Sequence, residues 1–172
     1  MEDNTLSRNS LAFIALANEF CHDMEHSEEK ERIEFVDSML KILPRIYMAA
    51  TDIDIKEDEE DEHYLDSFLD EENYEIIKDR IAQIMGEDDV YLEVFLEGMQ
   101  YSDTPIATTI SENLSDIYQD FYNFIAAIQD VPNEIINESL AAIKTSFINY
   151  WGQILVNVLR ALHNQKYNDS IE

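Results

Sequence analysis

Residues 110–129 read ISENLSDIYQDFYNFIAAIQ, and the fold turns on how this stretch is read. Ile110, Leu114, Ile117, Phe121, Phe124 and Ile128 recur every three or four residues, the period of an α-helix. Tyr118, Tyr122 and Ile125 widen the apolar stripe well beyond one face. A helix apolar over so wide an arc needs cover on several sides. The spacing therefore predicts the central member of a bundle, capped at its start by Ser111 with Glu112 and running to about Gln129.

The flanking sequence supplies the cover. Downstream, Pro132 and Asn133 open a last helix in which Ile136, Leu140, Ile143, Phe147, Trp151, Ile154, Val158 and Leu162 stay in step to Gln165, with Gly152 tolerated inside. Upstream, Leu6, Phe13, Ile14, Ala17, Phe20, Cys21 and Met24 mark a first helix over 5–26. Ser27 is the expected N-cap of a second, with Ile33, Val36, Leu40, Leu43, Tyr47 and Ala50 on one stripe and a kink or break expected at Pro44. Tyr74, Ile77, Ile81 and Ile84 give a helix over 71–85 that Gly86 stops, after a weak turn holding Tyr64, Leu65, Phe68 and Leu69. Residues 87–109 include VYLEVFLEG, which has the residue types of a strand but no evident partner, so an irregular or short helical connector is expected. The resulting fold class is all-α: a single-domain antiparallel helical bundle of about five main helices over 1–172, with an acidic loop at 52–63 and a frayed tail at 166–172.

Composition narrows function by exclusion. The 172 residues carry 38 Asp and Glu against 11 Lys and Arg, a formal charge of −27, so a phosphate backbone is repelled and direct nucleic-acid binding is excluded. The single Cys21 cannot form an internal disulfide, a CxxC pair or a thiolate zinc site; on the apolar stripe it is expected to be a small core residue. Three Gly leave no phosphate-cradling loop and no GxSxG elbow. LAFIALA at 11–17 is not a signal core, because Glu2 and Asp3 stand where positive charge is needed. The longest charge-free run, 145–159, is shorter than the roughly 18 apolar residues a membrane span needs. A cytoplasmic protein with no membrane contact is expected.

Three ordered stretches, GEDDVYLEVF (86–95), SENLSDIYQDF (111–121) and WGQILVNVLRALH (151–163), supported by KILPRIYMAA (41–50), resemble a bacterial family of small helical proteins, number 5063 in the domain-of-unknown-function series. The resemblance runs from the first helix to His163 and implies an all-helical fold and a cytoplasmic setting, with no activity, substrate or cofactor attached. The acidic run at 52–62 departs from that family's pattern.

Residues that could carry chemistry are few. HDMEH at 22–26 spells HxxEH, an inverted zinc-protease motif that would offer His22, Glu25 and His26 as metal ligands or catalytic groups. Only three letters are fixed, and His is favoured at a helix end by the dipole in any case. Glu19 with His22 and Glu60 with His63 fit the letters of a di-iron site, but the second pair lies in an acidic run where a match arises by chance. Asp52, Asp54 and Lys56 start like a calcium loop, which fails where Glu57 replaces the turn glycine and His63 the bidentate Glu. No metal and no cofactor are expected. A polar cluster of Asp116, Tyr118, Asp120, Trp151, Arg160 and His163 is the stronger candidate: an Arg160 bridge to Asp116 or Asp120 would fix the register of two helices, and Tyr118 with Trp151 could line a small polar or peptide site.

The leading functional expectation is a non-enzymatic protein-interaction module whose strongly acidic surface takes a basic protein partner, in its sharpest form as a mimic of nucleic acid. Residues 52–97 hold 19 acids and 3 bases, more charge than solubility needs. The alternative is a metal-dependent helical-bundle enzyme using His22, Glu25 and His26.

Overall fold

A computed structural model describes residues 5–54, 63–93 and 106–168. Its elements are α1 (Arg8–Glu25), α2 (Arg32–Thr51), α3 (Glu71–Met85), β1 (Val90–Leu92), β2 (Ala107–Thr109), α4 (Ile110–Ala127), α5 (Asn133–Ser146) and α6 (Gly152–Tyr167). A π-helical turn, Phe147–Trp151, joins α5 to α6, so these two form the single rod the periodicity predicts and the described residues make five rods.

The wide arc of α4 is the organising fact. It packs against α1, α3, α5 and α6, and Ile110, Leu114, Ile117, Phe121 and Phe124 are fully buried. Phe13 and Phe20 of α1 meet Phe121 edge-on at 5.6 and 5.4 Å, and Phe13 meets Phe124 at 5.5 Å, geometries favoured by ring quadrupoles. Neighbouring rods run antiparallel: Phe13 meets Phe124 while Glu25 meets Tyr118, and Leu69 meets Asn123 while Tyr74 meets Asp116.

Several boundaries differ from the sequence reading, each for a local reason. Ser27 caps nothing; it lies in a 3-10 turn (Ser27–Glu29), and α2 starts at Arg32. Pro44 does not break α2, which continues to Thr51 because Leu43 and Ile46 on either side are held in the core. The cap of α4 is Thr109, whose hydroxyl accepts from Glu112 N at 3.1 Å. Ser111 is instead bound by the buried Asp89, which accepts from its backbone N at 2.8 Å and its hydroxyl at 2.6 Å. The 87–109 connector contains strands after all: β1 pairs antiparallel with β2, Val90 opposite Thr109 and Leu92 opposite Ala107. Of the tail expected to fray from 166, Lys166 and Tyr167 belong to α6; residues 169–172, 94–105 and the acidic run at 55–62 lie outside the described residues. Among the described residues, no helix is long and apolar enough to cross a membrane.

Candidate functional site: carboxylates held by tyrosines

The six residues of the sequence-predicted cluster do not meet in one place. Trp151 is fully buried, its Nε1 donating to Ile143 O at 3.1 Å and its ring against Phe13, Phe121 and Phe147, so it lines no site. Arg160 does not bridge to Asp116 or Asp120: its guanidinium donates to Leu92 O at 2.5 Å, tying α6 to β1. His163, exposed, lies against the Tyr167 ring at 4.7 Å. The remaining three, all on α4, form two centres: Asp116 and Asp120 are held by tyrosines and a serine, and Tyr118 is bound to Glu25 of α1.

In the first centre, Asp116 accepts from Tyr74 Oη of α3 at 2.6 Å and also from the Tyr150 hydroxyl of the π-turn. One helical turn on, Asp120 accepts from Ser146 Oγ at 2.8 Å. Burial holds the Asp120 carboxyl above the ordinary carboxylate range; the Ser146 hydrogen bond opposes this and the Asp116 charge adds to it. Burial, followed by the charges of Asp116, Asp120 and Glu112, pushes the Tyr150 hydroxyl up to about 12. Tyr74 is pushed up too, by burial first and then by Asp116, so both hydroxyls remain donors. Lysine and arginine are engaged elsewhere: among the described residues the ion pairs are Lys30–Asp23, Arg32–Asp88, Arg45–Glu19, Lys78–Glu75, Arg80–Glu28 and Lys166–Asp37. None of them includes Asp116 or Asp120.

The second centre joins α1 to α4. Tyr118 Oη donates to Glu25 Oε1 at 2.9 Å, with burial first and then Glu25 raising the hydroxyl's pKa. Beside it a cleft of about 610 Å³ is lined by Asn18, Glu19, His22, Glu25 and Tyr122, with Cys21 on its wall. The Cys21 thiol is pushed up by burial and then by Glu25, which leaves it unreactive as a nucleophile. His22 and His26 stack ring on ring at 4.1 Å, and His26 Nδ1 is within 2.9 Å of His22 O. Glu25 is turned to Tyr118, so the HxxEH letters are not assembled around one point. Among the described residues no three His, Cys, Asp or Glu side chains converge as a metal site.

A carboxylate that already holds neutral donors still has lone pairs to offer, and Lys78, the base over the Tyr74 ring at 5.8 Å, is paired with Glu75 and not with Asp116 or Asp120. What such a centre can take is a cationic donor, an ammonium or guanidinium brought from outside. Sequence reasoning missed Tyr74, Tyr150 and Ser146; the available signal was that two acids at i and i+4 on a largely buried helix require donors from its neighbours.

Fold and site together define an all-helical, strongly acidic domain whose central helix carries two carboxylates held by hydroxyl donors, Asp116 by tyrosines and Asp120 by Ser146. The chain belongs to the DUF5063 family, described as a domain of unknown function, whose model matches residues 4–168. It is similar to a solved structure, the crystal structure of protein BF1032 from Bacteroides fragilis, a structural-genomics target: 36% identity, a TM-score of 0.80, and coverage of 96% of this chain and 97% of that one. No curated protein matches.

Proposed function

We propose that this protein is a non-enzymatic interaction module of the cytoplasm that binds a basic protein partner through its acidic surface, with Asp116 and Asp120 at the centre of the contact. The observation that carries the reading is a pair of carboxylates on α4, held by Tyr74, Tyr150 and Ser146, that makes no ion pair among the described residues; the nearby Lys78, 5.8 Å over the Tyr74 ring, is paired with Glu75. Lysine or arginine from a partner would supply the missing charge, and the fixed tyrosines would orient it. The lone, buried, unpaired Cys21 fits a reducing compartment.

The test is a titration of an arginine-rich peptide with the Glu112→Gln, Asp116→Asn, Asp120→Asn triple variant. The variant removes three of 27 net negative charges, so a purely diffuse attraction would barely change. A centre predicts roughly tenfold weaker binding or more, about 1.4 kcal/mol. A control triple at exposed acids elsewhere, Glu29→Gln, Glu34→Gln and Glu134→Gln, should keep nearly full affinity; equal losses in both triples would refute the centre.

A further inference from the structure

Residues 38–51 and 139–168 contain no Asp or Glu, in a chain that carries 38 of them. The first stretch is the C-terminal part of α2; the second runs from within α5 to the end of α6. The fold brings them together, because α2 packs on α6 and Lys144 Nζ donates to Ala50 O and Thr51 O at 2.6 and 2.9 Å. In a molecule of formal charge −27, these two stretches thus bring no acid to the side they build, and two acids that reach them from neighbouring segments, Asp37 and Glu19, are paired with Lys166 and Arg45.

That side is apolar and nearly uncharged. A groove between α2 and α6 is lined by Pro44, Tyr47, Met48, Leu155, Val156 and Leu159. Met48 is 66% exposed, Val156 48% and neighbouring Ile148 66%. Five of the 11 Lys and Arg lie in these stretches, but the chain itself occupies four: Lys144 on α2 carbonyls, Lys166 on Asp37 at 2.5 Å, Arg160 on Leu92 O, and Arg45 at 3.8 Å from Glu19. A basic partner finds no carboxylate in these stretches, and an acidic partner or an anionic membrane finds four of their five cations already held. An uncharged apolar face is complemented by another such face, and the chain carries one. Two copies meeting on acid-bearing sides would set carboxylate against carboxylate.

We propose that the α2/α6 face docks a second copy of this chain in an isologous two-fold pair, the groove of each copy facing that of the other. The carboxylate centres are built on α4 with Glu25 of α1, Tyr74 of α3, Ser146 of α5 and Tyr150 of the π-turn, not on the groove residues, so pairing leaves them open to the basic partner and does not depend on it. The sign of the salt effect follows from the charges. Each copy carries −27, repulsion opposes pairing, and screening over about 10 Å at 0.1 M salt strengthens it, whereas an acid–base contact weakens under the same change.

The experiment is sedimentation equilibrium of the full chain at about 0.05 and 0.5 M salt, which takes the screening length from above to below about 10 Å. Twice the 20.1 kDa chain mass is expected, with tighter association at the higher salt. Met48→Glu and Val156→Glu, at exposed positions on the groove, should each weaken association at least tenfold while circular dichroism and melting show a folded chain. Leu11→Glu, an exposed position on α1, should not. If one groove variant fails to fold, the other carries the test. A 20.1 kDa species at every salt and concentration, a pair that survives both groove substitutions, equal weakening by Leu11→Glu, or association that salt weakens would each overturn the proposal.

Discussion

Replacing Gly152 by Ala tests the packing of the longest rod at its most constrained point. By helix propensity alone the change should stabilise, by about 1 kcal/mol, since Ala is the best helix former and Gly among the worst. The geometry says otherwise. The Gly152 N–H donates to Phe147 O across the π-turn, and this i to i−5 bond draws the carbonyl close. A Cβ at Gly152 would lie 2.5 Å from that oxygen and 2.8 Å from two carbons of the Phe147 ring. Neither neighbour can easily yield. The oxygen is held by the bond, and the ring is wedged between Trp151 at 4.7 Å and Tyr47 at 5.2 Å. Overpacking of this kind costs about 1–3 kcal/mol, and the rigid surroundings favour the upper end, so the net loss is about 2 kcal/mol. For a chain of this length that lowers Tm by about 4–8 °C. Urea unfolding and thermal melts at matched ionic strength read the difference; a Gly152→Ala variant as stable as the parent would show that the π-turn relaxes to α-helix at no cost, and the reasoning would fail.

Other perturbations follow from the same contacts. Burial raises the folded-state pKa of Asp120 above its unfolded value, so ionisation costs stability as pH climbs through that window, and Asp120→Asn should melt higher than the parent at pH 7, the advantage vanishing below the ordinary carboxylate range. A melting series from pH 3 to 7 that shows a constant difference would contradict this. Arg160→Ala removes an exposed contact to a backbone carbonyl, not a buried ion pair, and should cost under about 1 kcal/mol in urea titrations rather than the roughly 3 or more that a lost buried bridge would take. Chelator should leave Tm unchanged, since His22, Glu25 and His26 do not converge; a chelator-sensitive melt abolished by His22→Ala and His26→Ala would reverse that assignment.

What the sequence disclosed depended on the range of the interaction. The wide apolar arc of 110–129 announced a central helix, and α4 is in contact with four other helices, because periodicity is a local property that burial reads directly. The hairpin was illegible: three-residue strands carry too little alternation, and the ATT of β2 does not resemble a partner for VYL. The π-turn was illegible as well: the stripe reads from Phe147 and Trp151 on to Ile154, whereas past the turn Leu155 is fully buried and Ile154 only partly, and Gly152 passed as merely tolerated when its missing Cβ is what the turn requires. In the site, the acids of α4 were readable as a pair by their i, i+4 spacing. Their partners were not, because spacing along α4 does not say which neighbour each carboxylate faces. Asp116 faces α3 and the π-turn, so tyrosines reach it, while Arg160 is drawn to the carbonyl of Leu92.

The central claim, a basic partner held at the α4 carboxylates, is tested most directly by capture from extract of the source cell on the immobilised full chain, compared with the Asp116→Asn, Asp120→Asn variant across a salt gradient. The expected result is a basic protein retained by the parent, released as salt rises, and bound at least tenfold less by the variant. Identical proteins on both chains with the same salt profile would contradict it.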